Sequence, residues 1–355
     1  MPTTITKSIG TSSRDYSTIQ AWEDAAPASI VASDEIWRGE MYNDSEFGGA
    51  VASTYLVTFG GVTVDATRYR ILTVATGQSF QDHASVRSNG LRYNQSNGVG
   101  IKQTGNYGLG LSCNERYVRL SRFQISMTHS NAEQAVVGGQ DCIVSDLIVE
   151  HSGNNGGANS YLVTVGQTGY AINVAGFAKG AACKGFRDQY DGHWINCTLV
   201  KSTDVSDTNT VTAFKSTYNT HITITNCAVF GYTNGNFTSA TTSTSGGNNA
   251  TDLSSGAPGS SNQHSVTFNA TTPFTQASST STDLRAIAAT SLAANGSKDA
   301  TNAPNDISAT VRASACTIGA WELTGGGGGG GGTPGNECFP PQSQPTSHYR
   351  PSIVM

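Results

Sequence analysis

The stretch "HITITNCAVFGYTNG" (His221–Gly235) carries the pattern that decides the fold. In its middle a polar residue, Asn226, precedes a short run with alternating apolar positions. "HWINCTLVKS" (His193–Ser202) shows the same arrangement around Asn196. Because alternation with a period of two is typical of strands buried on one face, both stretches predict short strands next to a polar turn.

Two earlier stretches fit the same template, "YVRLSRFQISM" (Tyr117–Met127) and "CIVSDLIVEHS" (Cys142–Ser152). The equivalent polar residues are Arg122, Asp146, Asn196 and Asn226. They are 24, 50 and 30 residues apart, which fits a period of about 25 if one degenerate repeat lies between the second and the third. The candidate for that repeat is "YAINVAGFAKG" (Tyr170–Gly180).

A repeat of this length that carries strands and no helical pattern predicts a parallel β-helix, an all-β solenoid. One coil alone cannot bury its inward face, so stacked coils must supply the core and the ladder hydrogen bonds. Inward positions should then form columns. One predicted column contains Leu147, Cys197 and Cys227, and another contains Val149, Leu199 and Val229.

Composition excludes several classes of protein. The chain has 355 residues with 20 Lys and Arg against 25 Asp and Glu, and a net charge of −5 gives no general attraction to nucleic acid. No apolar run is long enough to span a membrane, and "MPTTITKSIGTSSRDYS" at the start lacks the apolar core of a secretion signal. We therefore expect synthesis in a cytoplasm and no membrane partner.

The seven cysteines show no C-x-x-C spacing, so the sequence predicts neither a metal site nor a cofactor. Cys142, Cys197 and Cys227 lie in strand-like runs and are expected to be small buried apolar residues. Cys338, near the C-terminus, is expected to be exposed. No glycine-rich phosphate loop is present either, because the glycine run Gly325–Gly332 precedes no helix.

An early segment predicts a helix. "DYSTIQAWEDA" (Asp15–Ala25) offers Ser17 as N-cap and Gln20 three residues later, which is a capping box. The helix should end near Pro27 and cover the exposed edge of the first coil, which needs protection. Near the other end, "DLRAIAATSLAANG" (Asp283–Gly296) predicts either a short helix or an extended cover for the last coil.

The eight glycines Gly325–Gly332 predict a flexible tether with a root-mean-square span of about 15 Å. The following segment, 333–355, contains prolines that favour an extended arm, and disorder is the open alternative. The predicted docking residues are Phe339, Tyr349, Arg350, Ile353 and Val354. The predicted division of the chain is residues 1–29 for the N-terminal segment and helix, 30–323 for the β-helix with its cover, 324–332 for the linker and 333–355 for the arm.

Both ends of the predicted solenoid resemble right-handed parallel β-helix proteins of the pectate-lyase-like class. The opening helix with Gly39–Tyr42 is similar to their N-terminal element, and Thr317–Glu322 ("TIGAWE") is similar to their closing motif. Arg312 of the preceding motif is retained, while Ala309 replaces its glycine. The resemblance implies a right-handed β-helix, a fold that serves lyases, hydrolases, adhesins and phage virion proteins.

The densest charged cluster is "KGFRDQYDGHW", which contains Arg187, Asp188, Asp191 and His193. These are the candidate catalytic residues if the protein is an enzyme, because glycoside hydrolysis needs two carboxyl groups at a defined separation. The alternative, which we favour, is a solvated surface turn held by an Arg187–Asp ion pair. A second acidic group, Asp141, Asp146, Glu150 and His151, is interpreted as the exposed face of one repeat.

These observations favour a structural protein and leave the enzymatic alternative open. The resemblance, the tether and the arm together indicate a tailed-phage virion protein on the particle surface, such as a capsid decoration or fibre-like protein. The expected partners are other virion proteins and further copies of the chain. The alternatives are a tailspike-type module that binds or cleaves a host surface polysaccharide, and a bacterial adhesin.

Overall fold

A computed structural model describes residues 1–50, 54–83, 90–129, 134–152, 160–205, 212–216, 221–232, 237, 244–287 and 290–323. Across these ranges the chain is all-β, with one short α-helix and one 3₁₀ turn, Gln95–Asn97. The linker and arm predicted over 324–355, with Cys338 and the five docking residues, lie outside the described residues. The predicted boundaries between segments stay predictions.

The strands are numbered in chain order. The first nine are β1 (Thr3–Ile9), β2 (Glu35–Met41), β3 (Phe47–Gly49), β4 (Tyr55–Phe59), β5 (Arg70–Val74), β6 (Gly100–Gln103), β7 (Leu109–Cys113), β8 (Val118–Ser121) and β9 (Gln124–Met127). The next nine are β10 (Val136–Val137), β11 (Ile143–Ser145), β12 (Ile148–His151), β13 (Tyr161–Val165), β14 (Tyr170–Ile172), β15 (Ala175–Ala178), β16 (Lys184–Asp188), β17 (His193–Ile195) and β18 (Thr198–Lys201). The last nine are β19 (Phe214–Ser216), β20 (Ile222–Thr225), β21 (Ala228–Phe230), β22 (Thr244–Gly247), β23 (Ala250–Thr251), β24 (Phe274–Ala277), β25 (Thr282–Ala286), β26 (Gly296–Ser297) and β27 (Ala315–Cys316).

Three parallel sheets contain strands β1 to β23. The first sheet has the order β1-β2-β5-β8-β11-β14-β17-β20-β22, the second β3-β6-β9-β12-β15-β18-β21-β23, and the third β4-β7-β10-β13-β16-β19. The chain enters the sheets in turn, and from β2 to β19 each pass, or coil, adds one strand to each sheet, as β5, β6 and β7 do. This topology is compatible with a parallel β-helix.

The core lies between the three sheets and consists of columns of inward side chains. The predicted column Val149, Leu199 and Val229 is confirmed, and Gly176 of the degenerate repeat completes it between the first two. Cys197 and Cys227 are buried neighbours in the adjacent column, where the backbone N–H of Cys197 lies 3.4 Å from the sulfur of Cys227. Six free cysteines among the described residues are buried, as small apolar side chains are.

The polar residue of each repeat lies at the corner between the first and second sheets. Asp146, Asn196 and Asn226 have φ angles of 52°, 54° and 56°, and Asn173 in the degenerate repeat has 53°. Asn and Asp tolerate this left-handed conformation better than most residues do. Side chains also join across coils, since Nδ2 of Asn173 donates to Oδ1 of Asp146 at 3.0 Å and Nδ2 of Asn226 to Oδ1 of Asn196 at 2.6 Å.

The predicted N-terminal capping helix is not supported. A strand, β1, precedes the segment and forms the edge of the first sheet, a position for which the sequence analysis assigned no strand. Only Ile19–Asp24 are helical (α1), fewer than two turns. The N-cap is Thr18 rather than Ser17, and its side chain accepts from the backbone N–H of Ala21 at 3.0 Å.

This short helix is tied to the stack by a buried ion triad. Arg70 is fully buried and its Nη1 donates to Glu23 of the helix at 2.6 Å, while its Nε donates to Glu115. Trp22 packs edge-on against Phe59 with the ring centroids 6.1 Å apart. A buried charge without its partner costs several kcal/mol, so the triad ties the helix to β5 of the first sheet and to the turn after β7.

The segment 264–323 leaves the stack and returns along the outer face of the second sheet. Apolar residues of that face, such as Phe177 and Phe230, form one cluster with Leu284 and Ile318 of the returning segment. Residues 282–286 form strand β25, paired antiparallel with β24. Of the two alternatives predicted for 283–296, a short helix or an extended cover for the last coil, the strand fits the extended one, but the segment covers the side of the stack.

The residues that resemble a closing motif hold this cover together. Arg312 is buried, and its Nη2 donates to the carbonyl oxygen of Gly319 at 2.6 Å, while its Nη1 lies 3.3 Å from Glu322. Ala309, at the place where the resemblance has glycine, adopts a φ of 62°. An alanine in this conformation is strained by about 1 kcal/mol or more.

Replacing Asn226 by Ala should destabilise the protein by about 2–4 kcal/mol. The change removes a residue suited to the left-handed corner and two hydrogen bonds, to Asn196 and to the carbonyl of Thr317. Asn248→Ala is the matched control, because Asn248 has the same backbone conformation (φ 54°) one coil later and no side-chain hydrogen bond among the described residues. It should cost about 1 kcal/mol. Denaturant unfolding measures both, and equal losses would contradict the role of the side-chain ladder.

Ala309→Gly should raise the free energy of unfolding by about 1 kcal/mol, since glycine adopts the left-handed conformation without steric cost. The control is Ala313→Gly, at a neighbouring position of the same cover without a positive φ, which should destabilise the protein by about 0.5–1 kcal/mol. Thermal unfolding of both variants measures the two changes in stability. Loss of stability in both would show that Ala309 is not strained.

Candidate functional site

The charged cluster predicted as the candidate site forms the corner between the third and first sheets, from β16 to β17. Because strand side chains alternate between the two faces, Arg187 points outward while Asp188 points into the stack. Arg187 and Lys184 lie over the ring of Tyr161, at 5.5 and 5.3 Å from its centroid. Lys215 pairs with Arg187 on the next strand. The outward part of the cluster is therefore cationic.

Asp188 is completely buried. Its Oδ1 accepts a hydrogen bond from the backbone N–H of Gly192 at 2.8 Å, and its Oδ2 has no hydrogen-bond partner. Burial raises the pKa of this carboxyl to about 7, and the nearby charge of Asp191 acts in the same direction. A pKa near neutrality suits a general acid, but an acid with no exposed surface does not reach a substrate.

The other two candidates face elsewhere. Asp191 lies in the turn with a φ of 42°, and its Oδ1 accepts from the backbone N–H of His221 at 3.0 Å. His193 lies on the outer face of the first sheet, where its ring stacks on Tyr170 with centroids 4.5 Å apart. Burial and the neighbouring His221 lower the pKa of His193. The four candidates are close in sequence, yet the structure does not direct them at one point.

The second acidic group is not the exposed face that its sequence suggests. Asp146, Glu150 and His151 are all buried, the last completely, and only Asp141 is half-buried. Glu150 lies on the outer face of the second sheet beneath residues 90–98, where its Oε1 accepts from the backbone N–H of Tyr93 at 3.0 Å and its Oε2 from Lys179. This carboxylate therefore anchors residues 90–98 to the outer face of the second sheet.

The structure contains a polar cleft that sequence reasoning missed. It encloses about 340 Å³ over the outer face of the second sheet, between residues 90–92 and the β24–β25 hairpin. We call it the seam cleft. The residues that line it are Gly90, Arg92, Thr275, Gln276, Ser281, Thr282, Asp283 and Arg285. They come from parts of the chain almost 200 residues apart and share no sequence motif. No local sequence pattern therefore predicts the site.

The described residues contain no group of three or more His, Cys, Asp or Glu side chains placed to hold a metal ion. None of their helices is long and apolar enough to cross a membrane.

Comparison of the chain with protein-family models, curated proteins and solved structures found no match. The class that the structure defines is an all-β protein of stacked parallel sheets. The resemblance to pectate-lyase-like proteins rests on the residues quoted from the sequence.

Asp188→Asn should stabilise the protein above neutral pH. The folded-state pKa of about 7 lies above the ordinary value of 3.8, so the stabilising effect of the protonated carboxyl is complete below pH 4 and is lost as the pH rises through 7. At pH 8 the variant should gain up to about 4 kcal/mol over the native chain. At pH 4 the two should be nearly equal. Asp191→Asn, which removes the neighbouring charge but keeps the buried carboxyl, should give a smaller gain in the same direction.

Urea unfolding between pH 4 and pH 8 measures this difference. A native chain whose stability does not fall relative to Asp188→Asn as the pH rises would contradict the buried, protonated carboxyl.

Proposed function

We propose that this chain is a structural protein on the surface of a phage particle, either a capsid decoration or a fibre-like accessory protein. Its body is a right-handed parallel β-helix made in the host cytoplasm. It attaches partly through the arm at residues 333–355, with other virion proteins and further copies of itself as partners.

The observation that carries this proposal is the continuous stack of parallel strands. The nine strands of the first sheet span about 38 Å at the usual spacing between strands. From β2 to β19 each coil is hydrogen-bonded to the next along three sheets, and the outer face of the second sheet is covered by the chain itself. Such a body resists bending and exposes little of its apolar surface, which are properties of a scaffold.

The charged turn supports a structural role as well. Its two aspartates serve the fold, because Asp188 holds the backbone of Gly192 inside the corner and Asp191 holds that of His221 at the next coil. A hydrolase needs two carboxyl groups on either side of a bond in the substrate, separated by about 5–9.5 Å on an open surface. A completely buried Asp188 does not fit that requirement.

A second candidate function is a tailspike-type module that binds a surface polysaccharide. The seam cleft is the observation that favours it, since its hydroxyl, amide and guanidinium groups are those that contact sugars.

Deleting residues 333–355 should strongly reduce incorporation of the chain into particles and leave the stack folded. Several buried anchors at roughly 1–2 kcal/mol each amount to orders of magnitude in occupancy. The measurement is occupancy on purified particles by quantitative mass spectrometry, with thermal unfolding of the isolated chain as the folding control. A matched variant that shortens Gly325–Gly332 by two glycines should be nearly silent, because loop closure depends weakly on length.

Full occupancy of the truncated chain would show that attachment does not use the arm. Absence of the intact chain from every purified particle would contradict the virion proposal itself.

A further inference from the structure

The seam cleft lies where two separate covers meet on the second sheet. The first cover includes Phe80 and Leu91, which pack over Ile148, and the second is the returning segment 264–323. A Cβ atom at Gly90 would lie 2.8 Å from Cγ of Asp283, so the covers touch there without room for a side chain. They are also joined by Gln81, whose Nε2 donates to the carbonyl of Ile307 at 2.8 Å. The cleft is the space left open beside these contacts.

The cleft carries an uncompensated positive charge. Asp283 is largely buried and is paired with Arg285, whose Nε lies 2.8 Å from Oδ1. Arg92, on the opposite wall, is exposed and its guanidinium has no hydrogen bond or ion pair among the described residues. Among the described residues that line the cleft, two arginines and one aspartate leave one net positive charge, in a chain whose net charge is −5. This imbalance favours an anionic ligand.

The hairpin wall offers mainly hydrogen-bond acceptors. Oγ1 of Thr275 already donates to the carbonyl of Arg285 at 3.2 Å, and Oγ1 of Thr282 to that of Ser278 at 3.1 Å. Nε2 of Gln276 donates one of its two N–H groups to Ser278, which leaves its side-chain carbonyl and one N–H for a ligand. Acceptors in this number match a ligand that carries several hydroxyl donors.

The hairpin is held in place from the stack. Asp204, which follows β18, accepts from the backbone N–H and the hydroxyl of Ser279 at 3.0 and 2.8 Å, and the backbone N–H of Thr203 donates to the carbonyl of Ala277 at 3.0 Å. A wall fixed at its tip keeps the acceptors in position before a ligand arrives, which lowers the entropy cost of binding.

We propose that the seam cleft binds an anionic sugar, with its carboxylate or phosphate on Arg92 and its hydroxyls on the Gln276 and Thr275 oxygens. The volume of about 340 Å³ is at the small end of the range for ligand sites, which suits one or two sugar units. The proposal stands whether or not the chain is a virion protein, because it depends only on the two walls of the cleft.

The test is calorimetric titration of the full chain with glucuronate, glucose 6-phosphate, neutral glucose and inorganic phosphate. At least one of the two anionic sugars should bind at least tenfold more tightly than both glucose and inorganic phosphate. The tighter of the two identifies carboxylate or phosphate as the natural anion. Glucose or phosphate binding as tightly as both anionic sugars, or no binding of either anionic sugar, would overturn the proposal.

Variants locate the binding. Arg92→Gln should weaken binding of the anionic sugar at least tenfold, and Gln276→Ala severalfold, while Arg92→Lys should keep part of it. Arg116→Gln is the matched control and should leave binding of the anionic sugar unchanged. Arg116 is an exposed arginine outside the cleft, at the corner between the third and first sheets. Arg92 is exposed, so its removal should leave thermal unfolding unchanged. Undiminished binding by Arg92→Gln would show that the ligand sits elsewhere, and that result is independent of occupancy on particles.

Discussion

Stacking in register is the constraint on which the rest of the structure depends. Each coil must turn at the same point, and the turn between the first and second sheets requires a left-handed residue in every coil from Arg122 to Asn248. The backbone N–H of this residue donates to the next coil, as Asp146 does to Ile172 at 2.9 Å. Once the corners align, inward positions align as well, and the columns of the core follow.

This constraint explains which parts of the fold are predictable from sequence. The corner residues and the alternating strands beside them recur at a nearly fixed period, so the parallel stack and its columns are visible, including the weak repeat around Asn173. The edge strand β1 and the shortened helix α1 are not visible, because a capping-box pattern at Ser17 says nothing about what pairs with the first sheet. The returning segment is equally hidden, since it has no repeat.

The candidate sites show the same limit. Charges that are close in sequence, such as Arg187 and Asp188, are separated by a strand whose residues alternate between core and surface. Groups that line one cleft, such as Arg92 and Arg285, are distant in sequence and share it only because a cover folds back over the stack. The sequence of a solenoid thus predicts its repeats well. It predicts poorly the surfaces that non-repeating segments form.

The returning segment also changes how the molecule is expected to lose its structure. A solenoid in which each coil contacts only its neighbours frays from its ends and unfolds in stages. Here Gln81 is bonded to Ile307, 226 residues away, and Ala320 donates to Thr198 at 2.9 Å. The returning segment contacts early and late coils together. Fraying of a coil beneath it therefore also breaks the contacts between that coil and the returning segment. The cover converts a one-dimensional array into a more cooperative unit.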